Sequence, residues 1–290
     1  MKALLAAAVV SGAFACALEV PTADWQSGSE REPPLAIESN LEPVLARSGE
    51  ALRIVTFNVE FGEDTSALAS LFESPPFDEV DAFLLQEIED HAGEDESRAA
   101  RLAAQTGMAY VYLPAKSVDG GTLGVAILAR RPLSNVRFID LPFFRTSIRD
   151  DTRVGLAVQM AGIDIVNVHL FLQLGLAERI MQLAPATEDL APVAVLGGDL
   201  NTNPYAWADM VPIVPLEPIS DIDVPGIIDD AMREFGFDPA TAEAGPTHHS
   251  PVSELRLDSI YTRGLMSENA VVERGVELSD HWPLRVDVAF

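Results

Sequence analysis

The chain has 290 residues, close to half of them apolar, enough to bury a large core in one or two domains. It carries 45 Asp and Glu against 19 Lys and Arg, a formal charge of −26, and its only lysines are Lys2 and Lys116. That balance repels phosphate backbones at long range and excludes non-specific electrostatic attachment to nucleic acid, although a bound divalent metal reverses the field locally.

The amino terminus predicts an export signal. Met1-Lys2 is a short positive start, and residues 3–15 form an apolar run too short to cross a membrane and of signal length. Ala13-Phe14-Ala15 supplies a small-x-small cleavage pattern directly before Cys16, the single cysteine. Cys16 resembles the lipidated first residue of a bacterial lipoprotein; ordinary cleavage leaving a free thiol is the alternative. One cysteine forms no disulfide within the chain. Residues 1–16 are therefore expected to be the signal. Residues 17–50, broken by Pro21, Pro33-Pro34 and Pro43, are expected to be a flexible tether with a helical turn near 41–46.

The folded domain is expected over 51–290. Residues 53–60 are β-rich and deliver Asn58 and Glu60 at their end. Gly62 breaks the run, and Asp64 caps a helix over 65–72 that stops before Pro75-Pro76. A second apolar strand, 80–85, runs into Gln86-Glu87. The acids beyond it (Glu89, Asp90, Glu94, Asp95, Glu96) read as a solvated loop and helix start, with a helix over 97–105 ending at Gly107. Strands follow at 109–113, 124–129, 136–141 and 154–160. Arg130, Arg131, Arg145, Arg149 and Arg153 lie between or beside them, as a phosphate-binding face or as surface cations paired with acids. Residues 163–169 end in His169, and 174–183 have helical character.

The apolar strand at 193–196 stops at Gly197-Gly198, and Asp199 and Asn201 follow two positions apart. On extended backbone both point to one side, where they hold a hard cation or grip a phosphate oxygen; a loop in which each satisfies its own turn is the alternative. The prolines from Pro204 to Pro225 predict a long irregular loop, with Tyr205 and Trp207 its candidate membrane-contacting aromatics. Thr247-His248-His249 lies in a turn-rich region, and adjacent histidines on a loop do not by themselves specify a metal. Two last strands, 257–261 and 283–288, carry Asp258 near the start of one and Asp280-His281 ahead of the other. Strands entering a sheet edge and antiparallel strands leaving it share that edge. Asn58, Glu87, His169, Asp199, Asn201, Asp258, Asp280 and His281 are therefore expected on one rim.

Taken in order, Phe57-Asn58, Leu85-Gln86-Glu87, Asn167-Val168-His169, Gly198-Asp199-Leu200-Asn201, Leu257-Asp258-Ser259-Ile260 and Ser279-Asp280-His281-Trp282-Pro283-Leu284 resemble the endonuclease/exonuclease/phosphatase superfamily, of deoxyribonuclease-I-like fold. The resemblance spans residues 52–290. It implies one α/β domain, a four-layer sandwich of two mixed β-sheets flanked by helices, and metal-dependent cleavage of phosphoester bonds. It also implies Glu87 as principal metal ligand with Asn58 beside it, and Asp280 at a second metal position. Asp199 and Asn201 resemble the pair that positions the attacking water and the phosphate. His281 resembles the histidine at the scissile phosphate, oriented by Asp258. His169 resembles the phosphate-contacting histidine of the deoxyribonuclease, sphingomyelinase and phosphatase branches; the Tyr-x-Pro-Asn pattern of abasic-site exonucleases is not there. Glu60 stands where several relatives carry Asp.

Arg153 and Arg149 are the candidate substrate-binding arginines. Oxygen ligands point to Mg²⁺, with Mn²⁺ or Ca²⁺ as alternatives. The general base is Asp199 or His281. The expected substrate is a phosphoester, handled by an exported nuclease-like phosphodiesterase. A sphingomyelinase-like or inositol-phosphate-type enzyme is the second reading, and a non-catalytic binding protein on the same fold the third. A membrane reached through lipid on Cys16 is a further expected partner; no obligate protein partner is expected.

Overall fold

In the computed structural model the described residues are 37–49, 51–144, 151–203, 206–208, 211–213, 223–250 and 253–290. The expectations for Cys16, Arg145, Arg149 and Tyr205 lie outside them. The elements are β1 (Glu38–Asn40), β2 (Leu52–Phe61), α1 (Thr65–Phe72), β3 (Ala82–His91), α2 (Arg98–Thr106), β4 (Ala109–Val118), β5 (Gly121–Ala129), β6 (Leu133–Asp140), β7 (Val154–Met160), β8 (Ile163–His169), α3 (Leu176–Leu183), β9 (Ala194–Asp199), β10 (Ala206–Ala208), β11 (Val211–Ile213), α4 (Val224–Glu234), β12 (Asp238–Pro239), β13 (His248–Ser250), β14 (Ser253–Leu255), β15 (Asp258–Arg263), β16 (Met266–Val272) and β17 (Leu284–Ala289).

One sheet runs β1-β4-β5-β3-β2-β17-β16 and the other β12-β15-β9-β8-β7-β6. At the centre of each lies one parallel pair, β2 with β3 and β8 with β9. The strands flanking those pairs run antiparallel to them. Side-chain alternation then builds three cores from two sheets. Ile54, Leu84 and Ile127 share the central core with Ile165, Val195 and Ile260. Val55, Phe57, Phe83 and Leu85 pack against Leu68 and Phe72 of α1 and Leu102 of α2, with Phe72 stacked on Phe83. Val166, Val168, Leu196 and Tyr261 pack against Ile180 and Leu183 of α3 and Ile228 and Met232 of α4. Each central strand is buried on both faces, which is why it reads as an unbroken apolar run. The result is the expected four-layer sandwich.

Local chemistry sets the ends of the helices. The Asp64 carboxylate accepts from Ala67 N–H, the Ser97 hydroxyl accepts from Ala100 N–H, and Gly107 closes α2 in the left-handed region. A buried amide pair ties the two sheets together. Gln86 donates to Asn167 Oδ1 at 2.7 Å and to Thr56 Oγ1 at 3.0 Å. Asn167 in turn donates to the carbonyls of Leu85 and Ala126, at 2.9 and 2.8 Å.

Four expectations are corrected. Part of the expected tether is β1, which pairs with Tyr110–Tyr112 of β4, and the Tyr110 hydroxyl donates to Glu38. An exposed strand edge offers unpaired backbone groups, and this segment fills them. Residues 41–46 form no helical turn; Val44 N–H instead donates to Gly107 O. Glu89 and Asp90 continue β3 to His91 rather than lying in a loop, and Glu89 is buried against Arg98 and His91, while Glu94, Asp95 and Glu96 lie in the turn before α2. The proline-rich stretch ends in a helix, α4, because Pro225 sits in its first turn, where a missing N–H costs nothing, and Asp223 caps Gly226 N–H.

Candidate active site

The rim is made by strand ends. β2 and β3 deliver Asn58 and Glu87, β8 ends at His169 and β9 at Asp199. Asp258, the first residue of β15, pairs across from Asp199, and His169 is its register partner on the other side. Asp280 and His281 precede β17. Three rim residues that are not glycine hold left-handed backbone: Glu60 (φ 43°), Glu87 (φ 57°) and Asn201 (φ 50°). Such strain persists where the surroundings over-determine it, and here it re-aims side chains at a shared edge. At Glu87 it accompanies a bulge in the ladder, which turns the carboxylate out of the alternation.

Asp199 is the centre of the constellation. Its Oδ2 accepts from Asn58 Nδ2 at 3.1 Å, a bond from one sheet to the other, and its Oδ1 accepts from Asn201 N–H at 2.9 Å. His169 Nε2 lies 3.4 Å and His281 Nε2 3.9 Å from the same Oδ2. His281 Nδ1 is 2.8 Å from Asp258 Oδ2. Asn201 spends its amide on Leu170 O. Burial lifts the Asp199 carboxyl to about 6, while His281 beside it limits the rise. Burial opposes the His281 cation, but the charge and hydrogen bond of Asp258 outweigh it and hold the imidazole up to about 10. Burial first and the Arg153 guanidinium second hold His169 well below the ordinary histidine value. Two histidines on one carboxylate are thus driven to opposite protonation states.

Arg153 is buried, and its Nη1 donates to His169 Nδ1 at 2.8 Å. Its Nη2 donates to Asp151, which also accepts from Lys116 at 2.8 Å. The three of the five arginines that are described, Arg130, Arg131 and Arg153, do not form one face. Arg130 binds Glu73 and the carbonyls of Phe72 and Val80, and Arg131 binds Asp81 and the carbonyls of Gly49 and Ala51. Both sit where β3 begins, at the end of the sheet away from Glu87, because β5 runs antiparallel to β3 and Ala129 pairs with Ala82.

The remaining donors are oxygens. Asn58 Oδ1 accepts from Glu60 N–H at 3.1 Å, Glu60 Oε2 accepts from Asp280 N–H at 3.2 Å, and Ser279 Oγ donates to Asn58 O at 2.7 Å. Glu87 is 27% exposed, and among the described residues its one ionic neighbour is the neutral His169, at 3.8 Å. A carboxylate without a cationic side-chain partner, on the strand paired with the one that carries Asn58, suits a hard divalent cation. Sequence reasoning gave no role to His248, which lies against Asp280 and His281, or to Lys116, Asp151, Gln86 and Asn167. Gln86 and Asn167 did stand inside the quoted motifs.

A sequence model of the endonuclease/exonuclease/phosphatase family matches residues 55–281. A search of curated protein sequences gave no match. Among solved structures, an endonuclease/exonuclease/phosphatase from Beutenbergia cavernae superposes with a TM-score of 0.63 at 18% identity, covering 83% of this chain and 72% of that one. The 3′ phosphatase NExo from Neisseria, bound to a product DNA hairpin, superposes at 0.58 and 20% identity, covering 81% and 98%. TDP2 from D. rerio, complexed with a single-strand DNA product, superposes at 0.55 and 15% identity, covering 83% and 100%. Likeness at these identities establishes the fold.

Proposed function

The chain belongs to the endonuclease/exonuclease/phosphatase family, whose members are phosphoesterase hydrolases, and on that premise we propose that it is a divalent-metal-dependent phosphodiesterase of nuclease type. The observation that carries this reading is Asp199 held between His169 and His281, with Asp258 behind His281. At neutral pH Asp199 is the charged carboxylate and His281 the imidazolium, so Asp199 is the group able to take a proton from the attacking water. His281 Nε2–H then donates to a phosphate oxygen as negative charge builds in the transition state. His169, neutral and protonated on Nε2, donates a second hydrogen bond without adding charge. Glu87 and Asn58 would hold the cation, with Asp280 and Glu60 next to them, and a bound divalent ion supplies neutralisation of the phosphate charge.

A nucleic-acid substrate is supported by the DNA products bound to the Neisseria and D. rerio proteins. A small phosphoester is the second reading, and one observation favours it. Arg53, Arg98, Arg101, Arg137, Arg256 and Arg285 each pair with a carboxylate of the chain, which leaves little cationic track for a polyanion among the described residues. Incubation with single-stranded oligonucleotide, plasmid, sphingomyelin vesicles and inositol phosphates, each with Mg²⁺, separates the readings. Cleavage of either nucleic acid is expected; hydrolysis of a lipid or inositol phosphate alone would replace the first reading by the second. The amino-terminal sequence supports export with lipid on Cys16, and the intact mass of the mature protein from a bacterial host tests it. An unmodified Cys16 or cleavage elsewhere would defeat that assignment.

A further inference from the structure

Thr247-His248-His249 takes no part in the hydrolysis derived above, yet it is built onto the site. Trp282 N–H donates to Thr247 O at 2.6 Å, His249 N–H donates to Asp280 O at 3.1 Å, and His248 forms a β-bridge with His281. This lacing brings His248 Nε2 to 3.4 Å from Asp280 Oδ2 and sets its ring edge-on to His281, 4.9 Å between centroids. His248, Asp280 and His281 present ligand atoms that all lie within 4.8 Å of one another. Asp258 occupies His281 Nδ1, so Nε2 is the nitrogen His281 has left.

We propose that His248, Asp280 and His281 form a site for a zinc-class divalent cation, and that filling it switches off hydrolysis by releasing the His281 Nε2 proton to solvent and occupying that nitrogen. Two imidazoles and one carboxylate are borderline donors, suited to Zn²⁺ or Co²⁺ rather than Mg²⁺, which keeps oxygen ligands. Two ligands bound to a tetrahedral zinc stand about 3.4 Å apart, given metal–ligand bonds of roughly 2.0–2.1 Å. The His248–Asp280 pair already has that separation. The Asp258–His281 pair supplies the carboxylate that zinc-binding histidines use as an outer partner. Asp280 is half exposed, so an ion enters from solvent without opening the core. The site borders the oxygen donors at Glu87 and Asn58 at Asp280, but its two imidazoles differ in kind from them, and the two classes of cation are separable by chemistry.

The binding half of this inference stands apart from the proposed activity; the inhibitory half rests on it. Metal-free full chain is titrated with Co²⁺, read by visible absorption, and with Zn²⁺ against a chromophoric chelator. The comparison protein is His248→Phe, which keeps a ring against His281 and removes the nitrogen. Wild type should bind one zinc-class ion per chain at micromolar concentration with a tetrahedral cobalt spectrum, and His248→Phe should weaken binding by at least about 100-fold. Asp280→Asn, at a half-exposed position, should weaken it too. Zn²⁺ should inhibit Mg²⁺-supported hydrolysis in wild type and not in His248→Phe, whose zinc-free rate should match wild type. Equal zinc affinity in wild type and His248→Phe, or no zinc-class binding by wild type, would overturn the site. Zinc bound through His248 without inhibition would overturn the switch. Normal zinc binding by a chain that hydrolyses no phosphoester would count against the proposed activity and leave the site in place.

Discussion

Arg153 has only donors, so its bond to His169 Nδ1 fixes the histidine proton on Nε2, the nitrogen facing Glu87 and Asp199. We propose that Arg153 acts as a positioning residue through this bond. Arg153→Met should lower kcat by about 10- to 100-fold with little change in KM, and ¹⁵N NMR should show His169 losing its single tautomer. Arg153→Lys should recover part of both, and a rise in KM alone would mean that Arg153 touches substrate. The pH profile follows from the two groups on the other side. Activity needs Asp199 without its proton and His281 with one, so the rate should rise as pH climbs through about 6 and fall as it climbs through about 10. Asp258→Asn removes the charge that raises His281, so the upper limb should move down; an upper limb that stays put would break the Asp258–His281 assignment. The Asp258–His281 pairing was legible only through the family motifs, whereas the role of Arg153 was not legible at all. Arg153 and His169 are neighbours because β7 lies antiparallel to β8 with Gly155 opposite Val168, and register of that kind is not written in spacing.

Among the elements, the Gln86–Asn167 pair ties together the two sheets that carry the site, since Asn58 and Glu87 ride on one sheet and His169 and Asp199 on the other. Asn167→Ala leaves the carbonyls of Leu85 and Ala126 and the Gln86 amide without their partner. It should cost about 2–4 kcal/mol, read as a lower midpoint in chemical denaturation. A change below about 0.5 kcal/mol would show the tie to be dispensable. The central strands were readable because burial on both faces makes them continuous apolar runs, and α1 and α2 because Asp64, Ser97 and Gly107 punctuate them. The structure departs from sequence where one signal has two meanings. Pro225 reads as a loop marker in a proline-rich stretch and as a first-turn residue once Asp223 caps the helix. The acids Glu89 and Asp90 read as solvated, but β3 carries them past the bulge at Glu87 and Arg98 covers Glu89. β1 gave no signal, because a three-residue edge strand is held by a partner distant in sequence. β16, whose residues are mostly exposed, lacks an apolar run to announce it.

At the scale of the whole molecule, a charge of −26 and arginines largely paired with the chain's own acids set how a phosphoester arrives. For an oligonucleotide substrate, kcat/KM should stay level or rise as salt goes from about 50 to 200 mM, because screening relieves repulsion. A protein that holds six phosphates would instead lose about 10³ in affinity over that range, and such a fall would reveal a cationic track outside the described residues. The central claim, metal-dependent phosphoester hydrolysis centred on Asp199, is tested most directly by the Mg²⁺ dependence of hydrolysis of a chromogenic phosphodiester by wild type, Asp199→Asn and Glu87→Gln. Chelator should abolish wild-type turnover and Mg²⁺ should restore it, while both variants, folded to the same thermal midpoint, should lose at least about 10² in kcat. Full turnover in excess chelator, or an unimpaired Asp199→Asn, would contradict it.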